Sequence, residues 1–129
     1  MSFQSRRELK SSFDEVVARL PQALKSEGFG VLTEIDIKDT LKKKLDVDFR
    51  RYKIFGACNP PLAHQALQAE LEIGLMLPCN VIVYEGDQGH TVVAAIDPTQ
   101  TMAAAGNPVL VSLATQVRDK LTRALGQLE

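Results

Sequence analysis

Residues Asn80–Ile96 read NVIVYEGDQGHTVVAAI. Two runs rich in β-branched residues, Val81-Ile82-Val83-Tyr84 and Thr91-Val92-Val93, flank the loop Gly86-Asp87-Gln88-Gly89. Such runs read as strands, and a four-residue connection built from turn formers joins them as an antiparallel hairpin. The pattern predicts strands over Asn80–Glu85 and Thr91–Ile96. Asp97-Pro98 ends the second, because proline donates no ladder hydrogen bond.

Working outward, Asn107-Pro108 is a cap-then-proline start for a helix. Leu110, Leu113, Ala114, Val117, Leu121, Ala124, Leu125 and Leu128 then recur at three- and four-residue spacing, one continuous apolar stripe. Towards the amino end, Ser12 with Glu15 three residues on is a capping box. Phe13, Val16, Val17, Leu20 and Leu24 form the apolar face of the helix it opens, and Gly28 stops it. Pro21 conflicts with that helix, since it removes a backbone bond at a cost of about 3 kcal/mol. The apolar face carries the helix through it with an expected bend.

Between these helices, Phe29–Ile37 and Phe49–Ala57 read as strands, separated by a short helix over Asp39–Leu45 with Lys42, Lys43 and Lys44 towards water. Phe3–Leu9 is a candidate first strand. Asn59-Pro60-Pro61 opens another helix that closes by Gly74 and Pro78. The order is β-α-β-(α)-β-(α)-β-β-α in a single domain, residues 1–129. The fold class is α+β: a two-layer β-α-β(4)-α arrangement with a mostly antiparallel sheet. The long first and last helices cover one face of the sheet, and short helices are inserted between strands.

Composition narrows the function classes. Apolar residues make up 45% and charged residues 24%, the values of an ordinary globular domain, and the net charge of −1 gives no global field to attract nucleic acid or membrane. The basic residues Lys38, Lys42, Lys43, Lys44, Arg50, Arg51 and Lys53 are interleaved with Asp36, Asp39, Asp46 and Asp48, so this is a mixed-charge face rather than a nucleic-acid footprint. MSFQSRRELK lacks the apolar core of a secretion signal, and two cysteines are too few for a disulfide scaffold; both point to a reducing cytoplasm.

Several separated blocks occur in a familiar order: EGFGVLTEID, LKKKLDVDFRRYKIFGACNPPLAHQAL and IGLMLPCNVIVYE. From about Ser12 to Asp97 the chain closely resembles a small bacterial family, domain of unknown function 302. The resemblance implies a two-layer fold of the TATA-binding-protein-like type and a homodimer. It implies no DNA binding, because fold and function separate easily, and the family's own activity is uncharacterised.

The residues that invite chemistry cluster around the two Cys-Asn pairs, Cys58-Asn59 and Cys79-Asn80. Cys58 falls beside the amino end of a helix, where the dipole favours anions and lowers thiol pKa values. Against this, free cysteine behaves as a small buried hydrophobe. Cys79 shares a strand face with Val81 and Val83, the core face, and the two thiols could meet across neighbouring strands. Asn59 and Asn80 could orient a ligand through their amides, although Asn59 has a simpler task as a cap.

The only soft or imidazole metal candidates are Cys58, His64, Cys79 and His90. Their C-x5-H-x14-C-x10-H spacing matches no zinc pattern, so no metal is expected. Neither a nucleophile motif nor a phosphate-binding glycine loop is present, and no catalytic residue is assigned. The expectation is a homodimeric binding module with a small-ligand or partner site near Cys58 and Cys79, and with neither nucleic acid nor membrane as partner. The cofactor, if any, is unknown. The alternatives are a thiol-dependent redox or metal-handling accessory protein, and a structural dimer without a ligand.

Overall fold

The structure, a computed structural model, describes residues 5–129. Phe3 and Gln4, at the start of the expected first strand, lie outside them. Five strands form one sheet: β1 (Ser5–Leu9), β2 (Gly30–Asp36), β3 (Tyr52–Cys58), β4 (Cys79–Glu85) and β5 (Thr91–Ala95). Their order is β1-β5-β4-β3-β2, and every neighbouring pair is antiparallel. The helices are α1 (Phe13–Lys25), α2 (Ile37–Leu45), α3 (Pro60–Ala69), α4 (Pro98–Met102) and α5 (Pro108–Gly126). The α+β, two-layer reading therefore holds, with an entirely antiparallel sheet.

The period-two alternation of the strands decides which face receives the helices. Phe55, Val81, Val83 and Val93 point to one side and are fully buried there, together with Leu20 and Leu24 of α1 and Leu110, Leu121 and Leu125 of α5. The predicted α5 stripe is the buried stripe, residue for residue. α1 begins at the predicted capping box, with Ser12 Oγ accepting from the Glu15 amide at 3.2 Å. It continues through Pro21, which is exposed and so displaces nothing from the core.

On β1, Ser5, Arg7 and Leu9 face the helices. Arg7 Nη1 donates to the carbonyl of Leu125 at 2.8 Å and also to that of Leu128, satisfying carbonyls that the end of α5 leaves without partners.

Most boundaries shift by one to three residues from the sequence expectation. Asp36 is the N-cap of α2, its Oδ1 accepting from the Asp39 amide at 2.9 Å, so Ile37 opens the helix instead of ending the strand. β3 starts at Tyr52 rather than Phe49. The residues after α3 and after β5 form a 3-10 turn at Leu71–Met76 and the five-residue α4, neither of which was expected.

Candidate functional site

β3 ends at Cys58, and the chain turns at Asn59 into α3. Asn59 is buried and bonded through both atoms of its amide: its Nδ2 donates to the Glu27 carbonyl at 3.2 Å, and its Oδ1 accepts from the Leu62 amide at 3.5 Å. The first of these bonds ties the end of α1 to the start of α3. It also explains Gly28, whose φ is +88° and where a Cβ would lie 2.9 Å from Asn59 Nδ2.

The first turn of α3 has no amide left to offer. Pro60 and Pro61 carry no N–H, Leu62 is capped, and the Ala63 amide donates to the Asn59 carbonyl at 2.9 Å. A helix start built this way lacks the free donors that make other helix N-termini anion sites. The dipole argument for Cys58 loses its donors here.

The register of β3 against β4 pairs Ala57 with Cys79, so Cys58 follows the partner of Cys79 at the end of β3. Both cysteines are free; Cys58 is half-buried and Cys79 is 4% exposed. Burial, reinforced by the neighbouring Cys58, pushes the Cys79 thiol up to about 11. Cys79 is therefore a neutral thiol at physiological pH, a poor nucleophile, and it points into the helix-covered side with Val81 and Val83.

A cavity of about 320 Å³ opens beside these thiols. Ala57, Cys58 and Cys79 form its sheet wall, and Leu62, Ala63 and Ala66 of α3 form a second. Phe29, Met102, Leu113 and Val117 close it from the loop before β2, from α4 and from α5. Leu32, Leu67 and Gly74 are the exposed members of the lining and mark its mouth. The space exists because small residues stand where larger ones would meet: Ala57, Ala63, Ala66 and Gly74. Among the described residues, no buried side-chain nitrogen or oxygen lacks a hydrogen-bond partner. The wall thus contains thiols, an amide already committed twice, and hydrocarbon.

Of the four candidate ligand residues, the structure brings Cys58, Asn59 and Cys79 to this cavity and leaves Asn80 out. Asn80 is exposed, paired with Gly56 in the ladder on the opposite face of the sheet, because consecutive strand residues alternate sides. His64 is on the exposed side of α3, and His90 lines a separate polar depression with Arg6, Arg50 and Asp87. The structure therefore does not gather the two histidines with the two cysteines. Sequence reasoning missed Phe29, Met102, Leu113 and Val117 as lining. A signal that could have pointed towards a cavity is the set of small residues Ala57, Ala63 and Ala66 in and before PPLAHQAL.

No curated protein matches the chain. A sequence profile of the family described as "Domain of unknown function DUF302" matches residues 5–128. The chain belongs to this family. The DUF302 domain is also similar to a solved structure, described as the crystal structure of an uncharacterized conserved protein DUF302 from Bacillus stearothermophilus. That similarity covers 100% of both chains, with 29% identity and a TM-score of 0.92. The antiparallel sheet with its helices is thus the architecture of a DUF302 relative over the full length. Neither description attaches an activity to the DUF302 domain, so function is argued from the cavity.

Proposed function

We propose that this DUF302 protein is a binding module for a small, uncharged, apolar molecule held in the cavity beside Cys58 and Cys79, and that it works as a homodimer. The observation that carries the ligand reading is an open, largely apolar space in which no buried side-chain nitrogen or oxygen is left without a partner to seize water or an ion. Apolar cavities of about 150 Å³ stay dry and admit benzene; at about 320 Å³ this one has room for a molecule of two small rings or a short chain. At roughly 0.5 kcal/mol per heavy atom, ten or eleven atoms give about −5.5 kcal/mol, a Kd on the order of 0.1 mM. The missing amides at the start of α3 argue against a carboxylate or phosphate as the buried end of the ligand.

A second reading, thiol-based redox handling, is favoured by one observation: both cysteines of the chain line the same cavity. The high pKa of Cys79 weakens it.

Saturation-transfer NMR with indole tests the leading reading, using Ala66→Phe as a filled cavity and Ala63→Leu as a milder filling, each checked for a native melting transition. Indole should bind the wild type and lose at least tenfold in affinity to the folded filled variants. Equal binding by all three, or none by the wild type, would overturn it.

A further inference from the structure

Between Lys53 and Arg118 the chain carries no lysine or arginine, although it has 15 in all. That stretch builds α3, the 3-10 turn at Leu71–Met76, α4 and the start of α5, the elements around the cavity mouth. Glu70 and Glu72 stand exposed there. Glu70 Oε1 accepts from the Glu72 amide at 3.2 Å and so caps the turn. Among the described residues, neither carboxylate has an ion-pair partner.

The second observation is apolar. Leu75 is 88% exposed and Leu71 82% exposed on the outside of the turn, whose Ile73 is buried. Leu67 of α3 and Val109 in the first turn of α5 are also exposed. Asn107 Nδ2 donates to the Ala69 carbonyl at 3.2 Å, which holds the start of α5 against the end of α3 and so brings these side chains to one surface. Leu67, together with Leu32 of β2, is part of the cavity mouth. Exposed apolar patches rimmed by polar residues mark interaction sites.

We propose that this surface docks a basic, amphipathic helix of a different protein across the cavity mouth. The inference uses the mouth but does not rest on the small-molecule reading. Charge selects the partner. Two carboxylates without cations, beside bared leucines, are complemented by a segment that carries leucine-like residues on one side and lysine or arginine along its flanks. A second copy docked symmetrically through this patch would set Glu70 and Glu72 against the same pair, like charge against like. A bilayer with anionic headgroups needs basic residues to attract it, and this surface has none to offer. The form of the partner follows from the backbone: α3, the turn and α5 spend their amides within themselves, so recognition here runs through side chains. An apolar helix stripe laid on an apolar surface is that mode.

Fluorescence anisotropy with the labelled synthetic peptide LKKLLKLLKKLLKL, a basic amphipathic helix, tests the docking against a counterpart with glutamate for every lysine. The basic peptide should bind at least tenfold more tightly than the acidic one. Leu75→Ser removes an exposed side chain that is outside the core, so the fold should survive, which far-UV circular dichroism checks; it should raise the Kd at least fivefold. Glu72→Lys should raise it at least threefold. Asp48→Lys, the same charge change beyond the other end of β3, should leave it unchanged. Equal affinity for the two peptides, no binding of the basic one, or wild-type affinity in both Leu75→Ser and Glu72→Lys would overturn the proposal. So would sedimentation of the wild type with phosphatidylcholine vesicles, which would make the patch a lipid surface. Indole binding that persists through such a result would leave the cavity reading standing, so the two failures are distinguishable.

Discussion

Replacing Cys79 with alanine should remove an alkaline weakness from the protein. Burial holds the native thiol at about 11, against 9.0 for an unperturbed one. Below about pH 9 both native and unfolded states keep the proton, and Cys79 adds no pH dependence. Above it the unfolded thiol ionises while the native one stays protonated, so the unfolded state binds fewer protons and stability falls as pH rises. The loss attributable to this one group is about 1.4 kcal/mol by pH 10, and it levels off at about 2.7 kcal/mol beyond pH 11. Lysines and tyrosines titrate in the same range, but they are common to both proteins and cancel in the comparison.

Urea midpoints measured from pH 7.5 to pH 10.5 on wild type and Cys79→Ala would show it. The variant starts less stable, by about 1 kcal/mol for a small lost side chain, and the gap closes or reverses near pH 10. Parallel curves over the whole range would refute the raised pKa of Cys79 and the burial that causes it.

Three further outcomes follow from the geometry. Gly56→Ala would place a Cβ 2.3 Å from Thr33 Oγ1 and 2.6 Å from Pro78 Cγ; it should cost about 1–3 kcal/mol in urea unfolding, part of it recovered by Thr33→Ala, and an unchanged midpoint would contradict the close packing over Gly56. Asn59→Ala deletes the cap of α3 and the tie to the Glu27 carbonyl, for a loss of about 1–3 kcal/mol, whereas Asn59→Asp should keep the cap and lose only the tie. In native protein Cys58 should react with a thiol reagent at least ten times faster than Cys79, since Cys79 is both buried and protonated; equal rates in the two single Cys→Ser variants would refute that.

What the chain made legible was whatever repeats. The hairpin from Asn80 to Ile96 and the α5 stripe have enough periods for their faces to be read, and Cys79 inherits its buried side from Val81 and Val83. Asn80 shows the same rule from the other side: the matching Cys-Asn pairs suggested one site, but strand alternation separates Asn80 from its neighbour. Where an element is shorter than two periods, as at α4 and the turn Leu71–Met76, no pattern marks it. The start of α2 turned on one hydrogen bond, Asp36 to the Asp39 amide, which outweighed the β-branched Ile37. The cavity was the least legible feature. Its closing residues, Phe29, Met102, Leu113 and Val117, come from three distant segments, and only tertiary packing brings them opposite Ala57 and Ala66.

The claim that this cavity is dry and open to an apolar guest is tested most directly by diffraction from crystals pressurised with xenon. Xenon is uncharged, makes no hydrogen bond and enters apolar cavities of this kind. The account predicts anomalous density for at least one xenon atom between the Cys79 thiol and Leu113, absent or strongly reduced in Ala66→Phe. Ordered waters hydrogen-bonded in that space, with no xenon at any pressure the crystal tolerates, would contradict it.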